Sequence, residues 1–285
     1  MKPRDALAVL LWPVAVAAGL AFVALAQARG APAPAALTAL QVLVVALSVA
    51  LERASPEHAS WRVPRGDTRA DALHALVSGV ALSGLLRFVV LTSVPSLGLW
   101  PSRWPVPAQV VLALLLADLG SYATHVACHR VPWLWPIHAV HHASRRLYWL
   151  NSARMHPLDS AVTVLLSLFP LALLGVPPPV LILFDAVVIV HVMLQHANVR
   201  MRLGALNHVI AGPEFHRWHH SPQRAEGERN YATFFSLWDR LFGTFHLPRG
   251  AIAPEEVGLY DGQTMDPSWS AQVRYPWRQW REKHQ

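Results

Sequence analysis

Two stretches of this chain repeat one spacing of one residue type, HAVHH at 138–142 and HRWHH at 216–220, and a third pair stands in HVACH at 125–129. Imidazoles four positions apart share a helix face, so His125 with His129, His138 with His141 or His142, and His216 with His219 and His220 can each grip a metal ion. Eight of the 16 histidines fall in these three blocks. A tetrahedral zinc accepts four ligands, so one structural ion would leave half of the blocks idle, whereas two ions use them all. Neutral imidazole suits iron, zinc, copper and nickel alike, and the residues leave that choice open. No His-Glu-x-x-His occurs, so the zinc-peptidase motif with its built-in base is missing.

Something must bring these distant blocks together, and the composition says what. The chain is 53% apolar and 14% charged, against roughly 25% charged in soluble domains, which points to a membrane. Residues 6–28 and 34–51 contain no Lys, Arg, Asp or Glu, and each is close to the length that crosses a hydrocarbon core of about 30 Å as a helix. A secretory leader is the rival reading of the first run, because Lys2 and Arg4 precede it and it ends in ALAQA. The run is longer than a leader core, however, and a second apolar run follows at once, as in a helical hairpin. Residues 72–94, 106–128, 161–176 and 179–196 complete six crossings, the last two parted by PPP at 177–179.

Lys2, Arg4, Arg53, Arg62, Arg65 and Arg69 lie on one side of this count, with only Arg29 and Arg103 at the opposite tips. By the positive-inside rule both termini are cytoplasmic. The same count sends His125, His129, His191, His196 and both tandem blocks to the cytoplasmic face. The predicted fold is all-α, a polytopic membrane helical bundle with a cytoplasmic histidine-rich di-metal cap. A haem would instead take axial histidines from facing helices within the bilayer. The single cysteine, Cys128, excludes an internal disulfide.

Other residues are read as support for the cluster. Asp118 stands seven residues before His125 and eleven before His129, on nearly one stripe with Tyr122. An acid inside a membrane helix is costly, and its natural partner is the outer N–H of a ligating imidazole, the alternative being a neighbouring helix. Asp185 has the same relation to His196, which makes His196 the stronger ligand candidate and His191, well round the helix, the weaker. Asn230 and Tyr231 line the site or form a turn; Trp238 and Asp239 belong to a helix against the cluster, with Asp239 orienting a ligand. His156 reads as a structural or supporting residue, and His74, His208 and His246, without paired spacing, as structural. Arg130, Arg145, Arg146, Arg200, Arg202, Arg217 and Arg240 serve topology, or dock an acidic redox protein or lipid phosphates, and nothing indicates nucleic acid. The tail YPWRQWREK (275–283) reads as an interfacial anchor.

The run DLGSYATHVACHRVPWLWPIHAVHHAS (118–144), followed in order by NSARMHP (151–157), QHANV (195–199), GPEFHRWHHS (212–221), NYA (230–232) and LWDRLFGTF (237–245), resembles the signature of the fatty acid hydroxylase superfamily. These are membrane di-iron proteins that include sterol desaturases and alkylglycerol monooxygenase. The likeness covers about residues 110–248 and suggests three parts: N-terminal transmembrane helices (1–104), the hydroxylase-like domain (105–248) and a cytoplasmic tail (249–285).

The resemblance implies two irons held by His125, His129, His138, His141, His142, His216, His219 and His220, with His196 and His191 completing the set. Asp118, Tyr122, Asn230 and Asp239 are then the catalytic residues around them. It further implies O₂ as co-substrate and hydroxylation or desaturation of a C–H bond in a bilayer lipid, whether sterol, fatty acyl, ether lipid or carotenoid. Electrons must come from outside, from a donor of cytochrome b5, ferredoxin or pterin type, because the chain has neither a Gly-rich dinucleotide fingerprint nor a cysteine cluster. A zinc-dependent membrane hydrolase or isomerase is the alternative and would need neither O₂ nor reductant. A metal transporter would want ligands along a path through the bilayer rather than on one side. The Ala- and Arg-rich composition hints at a GC-rich bacterium and hence an inner-membrane protein.

Overall fold

The structure is a computed structural model that describes residues 3–250 and 252–282; Lys2 and Lys283, used above for topology and anchoring, lie outside them. Among the described residues every regular element is helical. Six helices are long and apolar enough to cross a membrane: α1 (Pro3–Ala28), α2 (Ala33–Ala54), α3 (Thr68–Ser93), α4 (Val106–Arg130), α6 (Pro157–Leu174) and α7 (Pro178–His196), with the short helix α5 (Trp135–His142) between α4 and α6. Beyond them lie α8 (Pro213–His219) and, near the C-terminus, α9 (Trp269–Glu282). The expected all-α multi-pass bundle is what the chain forms. α3 and α6 each begin four residues before their apolar runs, because Asp71 and Asp159 are buried in their first turns with partners of their own.

Proline and glycine set the helix ends. Pro residues occupy the first turns of α4, α6, α7 and α8, where a missing N–H costs nothing. α6 stops at Gly175, whose φ of 82° lets its N–H turn back onto the carbonyls of Leu171 and Ala172. Pro177 then caps α7, so the two short spans form a tight hairpin. α4 crosses α6 at Gly120, where a Cβ would lie 2.3 Å from the Leu166 carbonyl oxygen, the close backbone approach that membrane helices obtain from small residues. Leu114, Ala117, Leu171, Val187 and Leu194 fill the interior, while Leu10, Leu43, Phe88 and Phe169 face outward as lipid-exposed side chains. In the middle of α3, residues Ala75–Leu82 form a π-helix.

With six antiparallel spans, the C-terminal ends of α4 and α7 meet on one face, and α5 and α8 lie across it. Buried ion pairs fasten this cap to the bundle. Arg146 donates to both carboxylate oxygens of Asp67 at 2.7 and 2.8 Å; burial alone would raise the Asp67 carboxyl, but the guanidinium holds it below the usual range. Arg154 and Tyr148 donate to Asp71 at 3.0 and 2.7 Å. Arg217 donates to the carbonyls of Ala197 and Val199, and burial pulls its guanidinium down to about 10. Three of the arginines read as a docking surface are therefore structural: Arg146 and Arg217 are 4% and 1% exposed, and Arg202 pairs with Glu57. The tail is also more than an anchor. α9 packs on the cap, with Gln272 Oε1 2.9 Å from His74 Nε2, Val273 carbonyl 3.0 Å from His156 Nε2, and Trp280 donating to the Trp133 carbonyl. His74 and His156 are thus structural, as expected.

Candidate metal centre

Successive residues on a helix point about 100° apart, so a His-His doublet cannot aim both rings at one ion. His141–His142 on α5 and His219–His220 at the end of α8 accordingly straddle two sites. One group comprises His125, His129, His138, His142 and His219, the other His141, His196, His216 and His220, and within each the candidate ligand atoms lie within 4.8 Å of one another. Each tandem motif serves both groups. The remaining members come from the end of α4, where His125 and His129 are one turn apart, and from the last residue of α7, His196.

The outer ring nitrogens show how the rings are set. A carbonyl can only accept, so His125 Nδ1 donates to Tyr231 at 2.6 Å, His219 Nδ1 to Arg229 at 2.8 Å and His141 Nδ1 to Arg154 at 3.1 Å. His138 Nδ1 lies 2.8 Å from the Asp159 carboxylate and His196 Nδ1 3.1 Å from Asn151 Oδ1. These contacts leave each Nε2 with its lone pair. In the four-histidine group the Nε2 atoms converge, His216 standing 2.9 Å from His196 and 3.1 Å from His220. In the five-histidine group the Nε2 atoms of His125, His129, His138 and His219, and both ring nitrogens of His142, are buried without a partner among the described residues. Such desolvated acceptors are costly unless something else satisfies them. Burial, and then the neighbouring imidazoles, hold His142, His216, His219 and His220 far below the usual histidine range, and His141 is pulled down to about 3. Nine imidazoles with inward-facing ring nitrogens in two compact groups fit a pair of metal ions.

Several expectations change. His191 stays outside both groups: Trp12 Nε1–H donates to its Nδ1 at 3.0 Å, and its Nε2 lies 2.8 Å from the Thr233 carbonyl, so neither nitrogen remains for a metal. Asp118 does not orient an imidazole; it accepts the backbone N–H groups of Phe234 and Phe235 at 2.8 and 2.7 Å. Asp185 pairs with Arg87 on α3 at 2.7 Å rather than serving His196. Asp239 acts one step back, accepting the N–H groups of Tyr231 and Ala232 at 2.8 Å and so fixing the peptide whose carbonyl holds His125. Asn230, at φ 58°, forms a turn, bonding Phe215 and His246, and Tyr122 contacts Thr244 at 2.9 Å. Tyr122, Asn230 and Asp239 therefore build the wall behind the histidines, and Asp118 ties α4 to the 234–235 backbone. The residues that sequence reasoning missed are Asp159, Asn151 and Tyr260, whose hydroxyl is 3.3 Å from His129 Nδ1. An acid in the first turn of an otherwise apolar helix was the available signal for Asp159; nothing local marked Tyr260.

Both groups border one cavity of about 720 Å³ that runs into the membrane-spanning part of the bundle. His125, His138, His141, His196 and His216 line its inner end, and Leu37, Leu114, Leu168 and Phe184 are among the apolar residues further along.

A model of the fatty acid hydroxylase family matches residues 110–244. The ornithine lipid hydroxylase OlsE of Rhizobium tropici is 36% identical over 250 residues, covering 84% of this chain and 75% of that one. The chain belongs to the fatty acid hydroxylase superfamily. Alkylglycerol monooxygenases of this superfamily are also similar: the Danio rerio protein is 33% identical over 165 residues (58% of this chain, 34% of that protein) and the Homo sapiens protein 32% over 183 (61% and 40%). The chain thus spans well under half of those longer relatives. No solved structure matches it. The family model covers the histidine blocks of α4, α5 and α8 and His196, and leaves out α1 to α3 and α9.

Proposed function

We propose that this protein is an O₂-dependent di-iron oxidoreductase that hydroxylates or desaturates a C–H bond of a bilayer lipid. The observation that carries the reading is the shared wall: histidines of both groups border the inner end of an apolar, membrane-embedded cavity. The family, and relatives that are a lipid hydroxylase and monooxygenases, support an oxidoreductase. Bound irons would supply O₂ reduction and hydrogen removal at the lipid carbon; with two external electrons and two protons, hydroxylation leaves the second oxygen atom as water and desaturation leaves both.

The chain's own residues then have definite tasks. The nine histidines hold the metals, and Asp159, Asn151 and the carbonyls of Tyr231, Arg229 and Arg154 orient them. Asp118 and Asp239 fix the 231–235 segment against α4, and the apolar cavity excludes water and places the lipid. On this reading the arginine distribution makes the histidine face and both termini cytoplasmic, and the Ala- and Arg-rich composition suits a bacterial inner membrane. Exposed Arg130, Arg145 and Arg240 on that face suit an acidic external electron donor.

Lipid profiling of cells with and without the gene under ¹⁸O₂ tests the reading: a lipid carrying a labelled hydroxyl, or a new double bond formed only with O₂, is expected. Given the Rhizobium relative, ornithine lipid is the first substrate to supply. Turnover without O₂ and reductant would overturn the proposal in favour of a zinc hydrolase or isomerase.

A further inference from the structure

At its far end the cavity holds a charge pair that the proposed chemistry does not use. Arg87 and Asp185 both line it and are joined by one hydrogen bond of 2.7 Å, with side chains 30% and 18% exposed. Arg87 stands six residues before the end of α3 and Asp185 seven after the start of α7, which puts both about 10 Å into the membrane from the face opposite the histidines. Ionised side chains at that depth are expensive and mark function more often than fastening. Among the described residues that one bond is the only hydrogen bond either side chain makes. A guanidinium offers five N–H donors and a carboxylate two acceptor oxygens, so most of this capacity is not taken up by other described residues.

The cavity also has a lateral mouth. Thr38 and Gln41 on α2 and Gly79, Val80 and Gly84 on α3 line it and are exposed. α2 packs on α1 and α7, whereas α3 packs on α6, so the two helices flank an opening toward the bilayer. Gly84 leaves the α3 side low, since a Cβ there would meet nothing within 4 Å, whereas Gly79 packs toward Ala153, 3.3 Å from where its Cβ would lie. Gly79 and Val80 belong to the π-helical segment, a feature frequent at functional sites.

We infer that Arg87 and Asp185 form a receptor for the linkage group of an amide-linked acyl lipid that enters between α2 and α3, its chain reaching from there to the histidines. This deepens, and rests on, the oxidoreductase reading. A group inserted at the pair must satisfy both partners in a medium that tolerates no unpaired charge. A secondary amide does so, its carbonyl accepting from Arg87 and its N–H donating to Asp185. An ester or ether can only accept from Arg87 and offers nothing to Asp185, so it makes one hydrogen bond fewer. Eleven residues of α7 separate Asp185 from His196, a rise of about 16 Å. An extended chain covers this in about 13 single bonds, so the oxidised carbon lies roughly that far from the amide.

The test is competitive binding of N-methylhexadecanamide and methyl hexadecanoate, a near-isosteric amide and ester, to the iron-loaded protein in nanodiscs, anaerobic and without reductant, read by native mass spectrometry. The wild type is expected to prefer the amide by about 10-fold or more, the worth of one hydrogen bond to a charged group. The double variant Arg87→Met/Asp185→Leu, which removes both charges together and so leaves neither unpaired, is expected to bind the ester as before with the preference gone. Equal affinities in the wild type, or a preference that survives in the double variant, would overturn the receptor. Binding is read without turnover, so the result stands apart from ¹⁸O incorporation, on which the oxidoreductase reading depends.

Discussion

The five-histidine and four-histidine groups share α5 and α8 but are held differently. In the larger group, three rings have Nδ1 fixed by strong acceptors, the Asp159 carboxylate on His138 and the Tyr231 and Arg229 carbonyls on His125 and His219. In the smaller group His196 rests on the neutral Asn151 amide and His141 on the Arg154 carbonyl, while Nδ1 of His216 and of His220 has no partner among the described residues. A carboxylate makes its imidazole a more basic donor and locks its orientation. The larger group is therefore expected to hold an ion more tightly and the smaller one, three of whose four rings line the cavity, to be emptied more easily.

Adjacent substitutions separate the sites most sharply. His219→Ala should strip one ion from the larger group and His220→Ala one from the smaller, each lowering anaerobically purified iron from about two to about one per chain. Iron analysis with spectroscopy of the remaining ion checks this, and identical spectra from the two variants would mean one shared site. Asp159→Asn comes next, with about 10- to 100-fold weaker metal retention in the larger group alone, measured by chelator titration. Asn151→Ala should weaken the smaller group less in affinity. It should also cost about 1–3 kcal/mol in stability, because Asn151 Nδ2 donates to Ser144 Oγ and to the Arg146 carbonyl; thermal melts of the apo and loaded protein separate the two effects. His191→Phe should leave iron content unchanged, since both nitrogens of His191 are engaged elsewhere. A loss of iron there would return His191 to the ligand set.

The cap's attachment adds a pH dependence. The Asp67 carboxyl is held below its ordinary value in the fold, so the Arg146–Asp67 contribution is fully present above the unfolded carboxylate pKa and is lost as pH falls through the lower folded value. Acid melts of wild type and Asp67→Asn should converge at low pH, and parallel curves would remove the pair from the stability account.

The spans were legible because uncharged runs of membrane length have few alternatives, and the histidine clusters because His-x-x-His-His places rings on two helix faces. The use of the doublets to straddle two sites also follows from helix geometry, although spacing alone does not assign each ring to its ion. What was illegible depends on contacts between distant segments. Asp118 shares a helical stripe with His125, yet the 234–235 backbone, more than a hundred residues away, claims its carboxylate. Asp185 is drawn to Arg87 for the same reason, and His191 is claimed by Trp12 of α1. Arg146 and Arg217 look like surface charge in a positive-inside count, and only the fold shows them buried.

The most direct test of the two-site centre is anomalous diffraction at the iron edge from crystals grown anaerobically. The account predicts two peaks, one enclosed by His125, His129, His138, His142 and His219 and the other by His141, His196, His216 and His220. A single peak, or iron bound at His191, would contradict it.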